Sequence, residues 1–500
     1  VVILGLSDGV EPGAAVVVDD RLVAVEDARD GAGGLPLGAA RRALAVAGLR
    51  PEDVTVVALA GRYSPPLGVR RRARLRSWAA DPFSTSRALA TRAERWFRGT
   101  GLGAADADRA RDWLTGELTA DGYRPQKVVL VDAHKALASG VYRTQPTDRA
   151  TVVVVHPEGD GVFASVHRAA GGQIDRLLAD RATTGVHLAL PRALTALGVP
   201  DLAAASVLAG AAEPDPRLRA ELTDVLSYAG RFTGRPGPER RREPPWSTLR
   251  RDPAVGAATL LAHVQELVGE LVRHHHLDGL VLVAGGWFAD PGVSAPSVAV
   301  QPGIWRGDSG LAVGAAVDAA GLAPHAPASA ALGAWAGDGG DGPELVDAAD
   351  VAAVLASGAP WVRCRGRSGP GVGRARDRGV WVRADDARAV ARAREALELS
   401  PSAPVIELRA APPPGLSAEL APSWPHGVTV GGRTQVGPAG DPVSAARLAA
   451  LRARGIEAVA LLPLAARGRP AGETFADVRA LARRLGASLE WADRYEPRAT

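Results

Sequence analysis

Residues 285–321 read GGWFADPGVSAPSVAVQPGIWRGDSGLAVGAAVDAAG, directly after an apolar run that predicts a strand from Leu280 to Ala284. A Gly-Gly pair at the end of a buried strand lets the backbone approach a ligand closely. Glycines that open a helix, here over Gly307 to Ala316, leave N–H groups free for phosphate oxygens. Asp308, just ahead of that helix, adds a carboxylate of the kind a metal uses. Glycine pairs after strands also make ordinary turns, so both readings stay open on these residues alone.

Upstream, the periodicity predicts a long helix from Pro253 to about His275 and helices at 216–229 and 192–198, with a Pro- and Arg-rich loop from Thr233 to Pro245. Before these, Val152 to Val155 and Val162 to His167 predict a hairpin around Glu158-Gly159-Asp160-Gly161. The same pattern stands at the start of the chain. Short β-branched runs at 1–7, 14–18 and 21–25 are separated by Asp8-Gly9 and Asp19-Asp20 and are followed by a helix over 37–49 and strands at Val54 to Ala60 and Val128 to Asp132. Two strand meanders, each followed by helices, predict an internal duplication of the actin and sugar-kinase type. Between the first two single strands lies an Arg-rich region, Arg70 to Arg98, which reads as a solvated helical face anchored by Trp78 and Trp96, or as a grip for an anion.

Downstream, Gly333 to Gly342 is rich in Gly and Asp and marks the main boundary. Beyond it a smaller α/β domain is predicted, with strands at 360–364, 379–383, 404–408 and 458–462 and helices at 345–357, 386–397, 443–454 and 473–486. The 500 residues suit two or three domains, and 46% hydrophobic with 23% charged residues is a globular composition. A net charge of +4 over this length gives no reason to expect a nucleic-acid partner. Cys364 is the single cysteine, which excludes an intramolecular disulfide and a multi-cysteine zinc site and fits a reducing cytoplasm. VVILGLSDG at the start reads as a strand and not as a leader, and no run approaches the roughly 20 uninterrupted apolar residues of a membrane span.

Gln301 to Ala316 resembles the "P, variable, G-D-x-G-x-A-x-G-A-A" signature of the O-carbamoyltransferases that act on antibiotics and nodulation factors. Other segments match that family's landmarks in order: ILGLSDG with Glu26 downstream, VDAHKALASGVY at 131–142, EGDGVFASV at 158–166, the long helix before LVLVAGG, RCRGRSGPG at 363–371, SPSAP at 400–404, GGRTQV at 431–436 and RGRP at 467–470. The resemblance spans nearly the whole chain. It implies an α/β protein with a duplicated actin/sugar-kinase-like N-terminal domain at 1–332 and a smaller YrdC-like α/β domain at 345–500. In such enzymes the C-terminal domain takes carbamoyl phosphate, carbamate meets ATP to give a carbamoyl adenylate, and the actin-like domain passes the carbamoyl group to a hydroxyl. Two histidines and an aspartate hold a divalent metal.

This sequence departs from the family at the chemistry. The metal motif is a His, another His, two residues and a third His, with the first and third on one helix face. Those two positions are Ala133 and Leu137, and only the middle one, His134, remains. The Asp that opens the second meander is His156, the Lys of the following G-K-x-M-G segment is Ser206 or a neighbouring Ala, and Asp290 replaces an Asn. In the second domain the basic run shortens to Ser368 through Arg376, and an N-T-S-F-N stretch becomes Pro463 to Ala466. Glycines, prolines and apolar positions remain while ligands and donors became small or apolar residues.

The reading is therefore a catalytically eroded carbamoyltransferase-family protein of specialised-metabolite biosynthesis that works as a partner subunit, in a dimer or on an active carbamoyltransferase or other pathway enzyme. The alternative is a divergent ATP-dependent enzyme that moves a carbamoyl group from carbamoyl phosphate to a small-molecule hydroxyl or amine. For that chemistry the candidates are His134, His156 and Asp308, with Asp308 on a metal or Mg–ATP. Asp160, Gly161, Gly285, Gly286 and Gly310 would meet the nucleotide, Arg392 and Arg394 carbamoyl phosphate, and Arg433 an anion. A lone His in an apolar segment is more often structural. His274-His275-His276 reads as a helix cap, and Cys364 as a small hydrophobe.

Overall fold

The computed structural model describes residues 1–8, 12–27, 35–63, 67–71, 83, 101–144, 147–181, 184–198, 205, 209, 212–233, 244–285, 298–302, 308–324, 348–365, 378–397, 406–409, 427–430, 433–436, 450–451, 453–456, 458–463 and 475–492. The chain divides into two units, Val1–Pro327 and Ala328–Thr500.

In the first unit the opening apolar run forms β1 (Val2–Ser7), followed by β2 (Gly13–Val18) and β3 (Arg21–Asp27). Asp19 and Asp20, both at positive φ, make the two-residue turn whose twist suits a hairpin. After helix α1 (Leu37–Val46) come β4 (Val56–Ala60), the short α2 (Leu67–Arg70), α3 (Gly101–Ala120), β5 (Lys127–Val131) and α4 (Ala133–Arg143). The sheet order is β3-β2-β1-β4-β5, antiparallel up to β1 and parallel beyond it.

The pattern then repeats. Strands β6 (Arg149–Gly159), β7 (Val162–Ala170) and β8 (Gln173–Asp180) form the second meander. Helices α5 (Thr184–Leu197) and α6 (Pro216–Val225), the small hairpin β9 (Ser227–Tyr228) and β10 (Phe232–Thr233), α7 (Trp246–Arg251) and α8 (Pro253–His274) follow. β11 (Gly279–Ala284), β12 (Val298–Pro302) and α9 (Asp308–Ala320) complete the half. The second sheet runs β8-β7-β6-β11-β12 with the same directions as the first, so the duplication expected from the two meanders is present strand for strand.

The last helix of each half crosses to the other half's sheet. α4 packs on the second sheet, where Ala136, Leu137, Val141 and Tyr142 join Val152, Val154, Leu282 and Ala284 in one cluster that also takes in Ala58 and Ala60 of β4. α9 lies on β1, and the two helices meet each other through glycine. A Cβ on Gly314 would stand 1.7 Å from the Ala136 carbonyl oxygen, one on Gly140 3.0 Å from that of Gly310, and one on Gly5 2.1 Å from that of Ala312. Only glycine admits such backbone contact. The outer faces are covered by α1 and α3 on the first sheet and by α5 to α8 on the second. Because both faces of each sheet are buried, the central strands read as continuous apolar runs such as Val152 to Val155.

The second unit holds α10 (Ala348–Ala356), β13 (Trp361–Arg365), β14 (Arg378–Arg383), α11 (Ala387–Ala396), β15 (Ile406–Arg409), β16 (Gly427–Val430), β17 (Arg433–Val436), β18 (Ala458–Pro463), α12 (Phe475–Leu485) and β19 (Ser488–Ala492). Its sheet runs β17-β16-β15-β18-β14-β13-β19, antiparallel except between β13 and β19. α11 and α12 cover Val362, Val380, Val382, Ala460 and Leu462, while Trp361 and Trp381 pair across the strands with ring centroids 5.0 Å apart.

Several elements differ from the sequence reading. α5 begins at Thr184 and runs through Pro191, where the expected helix started only at 192, because the ring's missing N–H did not end the helix. α6 stops at Val225 where the β9–β10 hairpin begins. α8 is, by length and composition, apolar enough to cross a membrane, contrary to the expectation that no stretch is; it is largely buried in the core of the first unit. Its end is closed by backbone, with His276 at positive φ and the Leu277 N–H on the Val272 carbonyl, and not by imidazoles on carbonyls. The imidazole of His275 instead meets the Tyr228 hydroxyl at 2.6 Å. The expected boundary at 333–342, and Trp78, Trp96, Ser206, Asp290 and the helix start before Ala450, lie outside the described residues.

The glycine crossing gives a direct test. Gly314→Ala must push Ala136 away and should destabilise the chain by at least about 2 kcal/mol in urea unfolding. Gly116→Ala, in α3 with no atom within 4 Å of the new Cβ, should instead gain about 0.5–1 kcal/mol. Equal effects would contradict the packing described.

Candidate functional site

The carboxyl ends of the parallel strands of both sheets supply the turns where α/β proteins bind ligands. From the first sheet these are Asp8 after β1 and Gly61 to Tyr63 after β4; from the second, the β6–β7 turn and Gly285 after β11. The turn is built by its own residues. Asp160 and Gly161 have φ of 51° and 77°, and a register shift between Val155 and Gly159 widens the hairpin just before them. Gly285, at φ 104°, passes so near β6 that a Cβ would lie 2.0 Å from the Val155 carbonyl oxygen.

His134 sits beneath this turn. Its ring is fully buried and leaves no room for a side chain at Gly159, whose Cβ would fall 2.2 Å from the imidazole. Nε2 faces the carbonyls of Val162 at 3.0 Å and His156 at 3.3 Å, so it carries the proton and donates. Nδ1, 2.8 Å from Ser165 Oγ, then accepts the serine hydroxyl, and Ser165 Oγ in turn accepts from His167 Nε2 at 2.7 Å. This chain requires His134 to be neutral, since its Nδ1 accepts, and burial favours the neutral form of His167 as well. Burial pushes His134 down from 6.5 to about 3 and His167 to about 4, with Asp132 opposing in both cases.

Among the described residues, Asp8, Asp132 and Asp160 line these strand ends, and each is engaged within the chain. Asp160 accepts the backbone N–H groups of Arg62 at 3.0 Å, Tyr63 at 2.6 Å and Ala133 at 2.7 Å. Asp8 accepts from the Arg70 guanidinium at 3.0 Å, in a pair only 2% and 1% exposed, and Arg70 also donates to the Gly61 carbonyl. Asp132 caps α4 by accepting the Lys135 N–H and pairs with Arg176. Burial pushes the Asp132 carboxyl up, but Arg176 and the Lys135 N–H outweigh it and hold it below the usual range.

Among the sequence candidates, the structure gathers His134, His156, Asp160 and Gly161 at one turn, with the two imidazoles edge to face at 6.4 Å. Asp160, assigned to a nucleotide from the sequence, turns its carboxylate to the three backbone donors. Asp308 opens α9, and Gly310, two residues on, packs against Gly140 of α4. The side chain of Asp308 and all of Gly286 lie outside the described residues. Arg392 is exposed and Arg394 half-buried on α11, where burial lowers the Arg394 pKa; Arg433 opens β17. Arg70 itself departs from the reading of Arg70 to Arg98 as a solvated face, because its guanidinium is buried in an ion pair; apart from Arg71 and Phe83 the rest of that region lies outside the described residues. Sequence reasoning passed over Asp8, Asp132, Ser165 and His167 as functional residues, and only the helix-capping pattern of Asp132 was visible there.

The metal implied by the family resemblance does not fit these residues. Ala133 and Leu137, at the two lost histidine positions, are 3% and 0% exposed and belong to the apolar cluster beneath α4. Both ring nitrogens of His134 are committed, and no group of three or more His, Cys, Asp or Glu placed to hold a metal occurs among the described residues.

No protein-family model and no curated protein matches this chain. Among solved structures it is similar to component A of (R)-2-hydroxyglutaryl-CoA dehydratase from Acidaminococcus fermentans, at 14% identity and a TM-score of 0.33 over 64% of this chain and 97% of that one. It is similar to an activator of 2-hydroxyisocaproyl-CoA dehydratase from Clostridium difficile, at 12% identity, a TM-score of 0.33 and coverage of 64% and 94%. A ROK family glucokinase from Streptomyces griseus matches at 14% identity, a TM-score of 0.29 and coverage of 63% and 97%. The assignment of the first unit to the actin-like fold rests on its twice-repeated strand order.

The neutral histidine chain predicts an acid limb in stability. In the unfolded chain these histidines take up protons below about 6.5, whereas in the folded chain they stay neutral to about 3 and about 4. The unfolded state therefore binds more protons in that window, and stability falls as the pH drops through it. His134→Gln should be less stable than the parent at pH 8 yet lose less on going to pH 5, as read from urea midpoints. An equal loss in both proteins would contradict the neutral, buried imidazole.

Proposed function

We propose that this chain is a catalytically silent relative of the O-carbamoyltransferases and serves as a partner subunit for an active enzyme of that chemistry in the cytoplasm. The observation that carries the reading is the fate of Ala133 and Leu137. Both are part of an apolar cluster with Ala58, Ala60, Leu282 and Leu311, so the positions where the family carries metal ligands are taken up by packing. Side chains packed in this way leave no imidazole at either position to meet an ion, which supports the silent reading.

The carboxylates support the same reading. Asp160 accepts on both of its oxygens from three backbone donors, Asp132 from the start of its own helix and Arg176, and Asp8 from a buried arginine, so each has a structural task. What the duplicated fold keeps is shape: two halves joined at a glycine crossing and a second α/β unit on the same chain. A scaffold of this kind suits binding to a partner better than activation of carbamate.

The test is carbamoyl-phosphate-dependent exchange of labelled pyrophosphate into ATP, which reports formation of a carbamoyl adenylate, run beside an intact carbamoyltransferase. The full chain should give no exchange above the protein-free blank, with Mg²⁺ or with Fe²⁺, and should co-elute with the carbamoyltransferase encoded nearest to it. Exchange that disappears in Asp308→Ala would establish an active, divergent transferase and end the partner reading.

A further inference from the structure

We infer that Asp160 is a latch that holds the two halves of the first unit closed across the strand ends. The geometry behind it is the same whether or not the chain is catalytic. Asp160 belongs to the β6–β7 turn of the second sheet. Two of its three donors, the N–H groups of Arg62 and Tyr63, belong to the segment that leaves β4 of the first sheet. The third, Ala133, is the first residue of α4, the helix that crosses from one half to the other. One carboxylate thus ties the turn, the opposite strand end and the start of the crossing helix together.

Several features make this a device and not an incidental contact. Asp160 is 8% exposed and stands at a φ of 51°, a conformation that costs an L-residue energy and is kept here by the bonds it makes. Hydrogen bonds from N–H groups to a carboxylate are roughly twice as strong as neutral ones. His134 braces the same turn from below, through the carbonyls of Val162 and His156. On the first sheet, Gly61 next to the clamped residues is held in turn by Arg70, which is fixed by Asp8 at the end of β1. The chain of contacts therefore runs from β1 through Arg70 and Gly61 to Asp160 and on to α4.

The alternative to a latch is that the halves are fixed by the glycine crossing alone, with Asp160 adding local order. The two differ in what breaks together. In a latch, the amides of Arg62, Tyr63 and Ala133 open in one step while the strands stay intact.

Native-state hydrogen exchange on the full chain reads this directly. In the wild type these three amides should share one opening free energy once each rate is divided by its intrinsic exchange rate, lower than that of the β4 amides. In Asp160→Ala they should exchange on the order of 100-fold faster while β4 is unchanged. Spin labels on Leu102→Cys in α3 and Leu177→Cys in β8, both exposed (56% and 52%), in a Cys364→Ser background should give a narrow distance that lengthens and broadens in Asp160→Ala. Asp215→Ala, which removes the cap carboxylate of α6 far from the turn in sequence, should leave that distance unchanged. An unchanged distance in a folded Asp160→Ala protein overturns the inference. If that variant does not fold, the wild-type exchange decides: three unrelated opening free energies, or one shared with β4, also overturn it.

Discussion

The backbone of α9 touches the backbone of α4 with no side chain between them, and the architecture of the first unit depends on that contact. Each helix closes the core of a sheet that is not its own. α4, leaving the first sheet, covers Val152, Val154 and Leu282 of the second, and α9, leaving the second, lies on β1 at Gly5. Because Gly140 and Gly314 lack a Cβ, the two helices approach closely enough for one apolar cluster to form around Ala58, Ala60 and Leu311. The Ser139 hydroxyl and the Lys135 ammonium, both on Asp318, fix the register of the crossing at its rim. Added volume at this point would separate both cores at once.

The same closeness accounts for what the strand ends have become. A position one turn into α4 is either a ligand aimed at an ion or a side chain pressed into this cluster, and Leu137 has taken the second course. His134, one step around the helix from Ala133, points instead at the β6–β7 turn, where carbonyls and Ser165 meet both of its nitrogens. The acids follow suit: Asp8, Asp132 and Asp160 stabilise turns, a helix start and a strand end.

Much of this was legible in the amino-acid order. Short β-branched runs broken by Asp-Gly and Asp-Asp located the first meander and the opening hairpin of the second, and the strands at 360–364, 379–383 and 458–462 fall within a residue or two of β13, β14 and β18. Local signals failed where tertiary contacts decide. Gln173 to Asp180 alternates too weakly to announce β8, which is held by pairing with β7. Gly427 to Val430 is too short a run to announce β16, which is held between β15 and β17 by pairing on both edges. The site was harder. Arg70 and Asp8 are 62 residues apart and nothing local joins them. Asp160 and Ala133 are joined only when β6 and α4 have already packed. That Ala133 and Leu137 stand where the resembling family has histidines could be read from the sequence, but that both are buried in apolar core could not.

That replacement is the centre of the account, and metal content tests it most directly. Full-length protein equilibrated anaerobically with Fe²⁺, desalted and measured by mass spectrometry of the metal should carry no iron above the protein-free blank. One equivalent of iron per chain, lost in Asp308→Ala, would contradict the account, since an ion would then be held where Ala133 and Leu137 are described as packed.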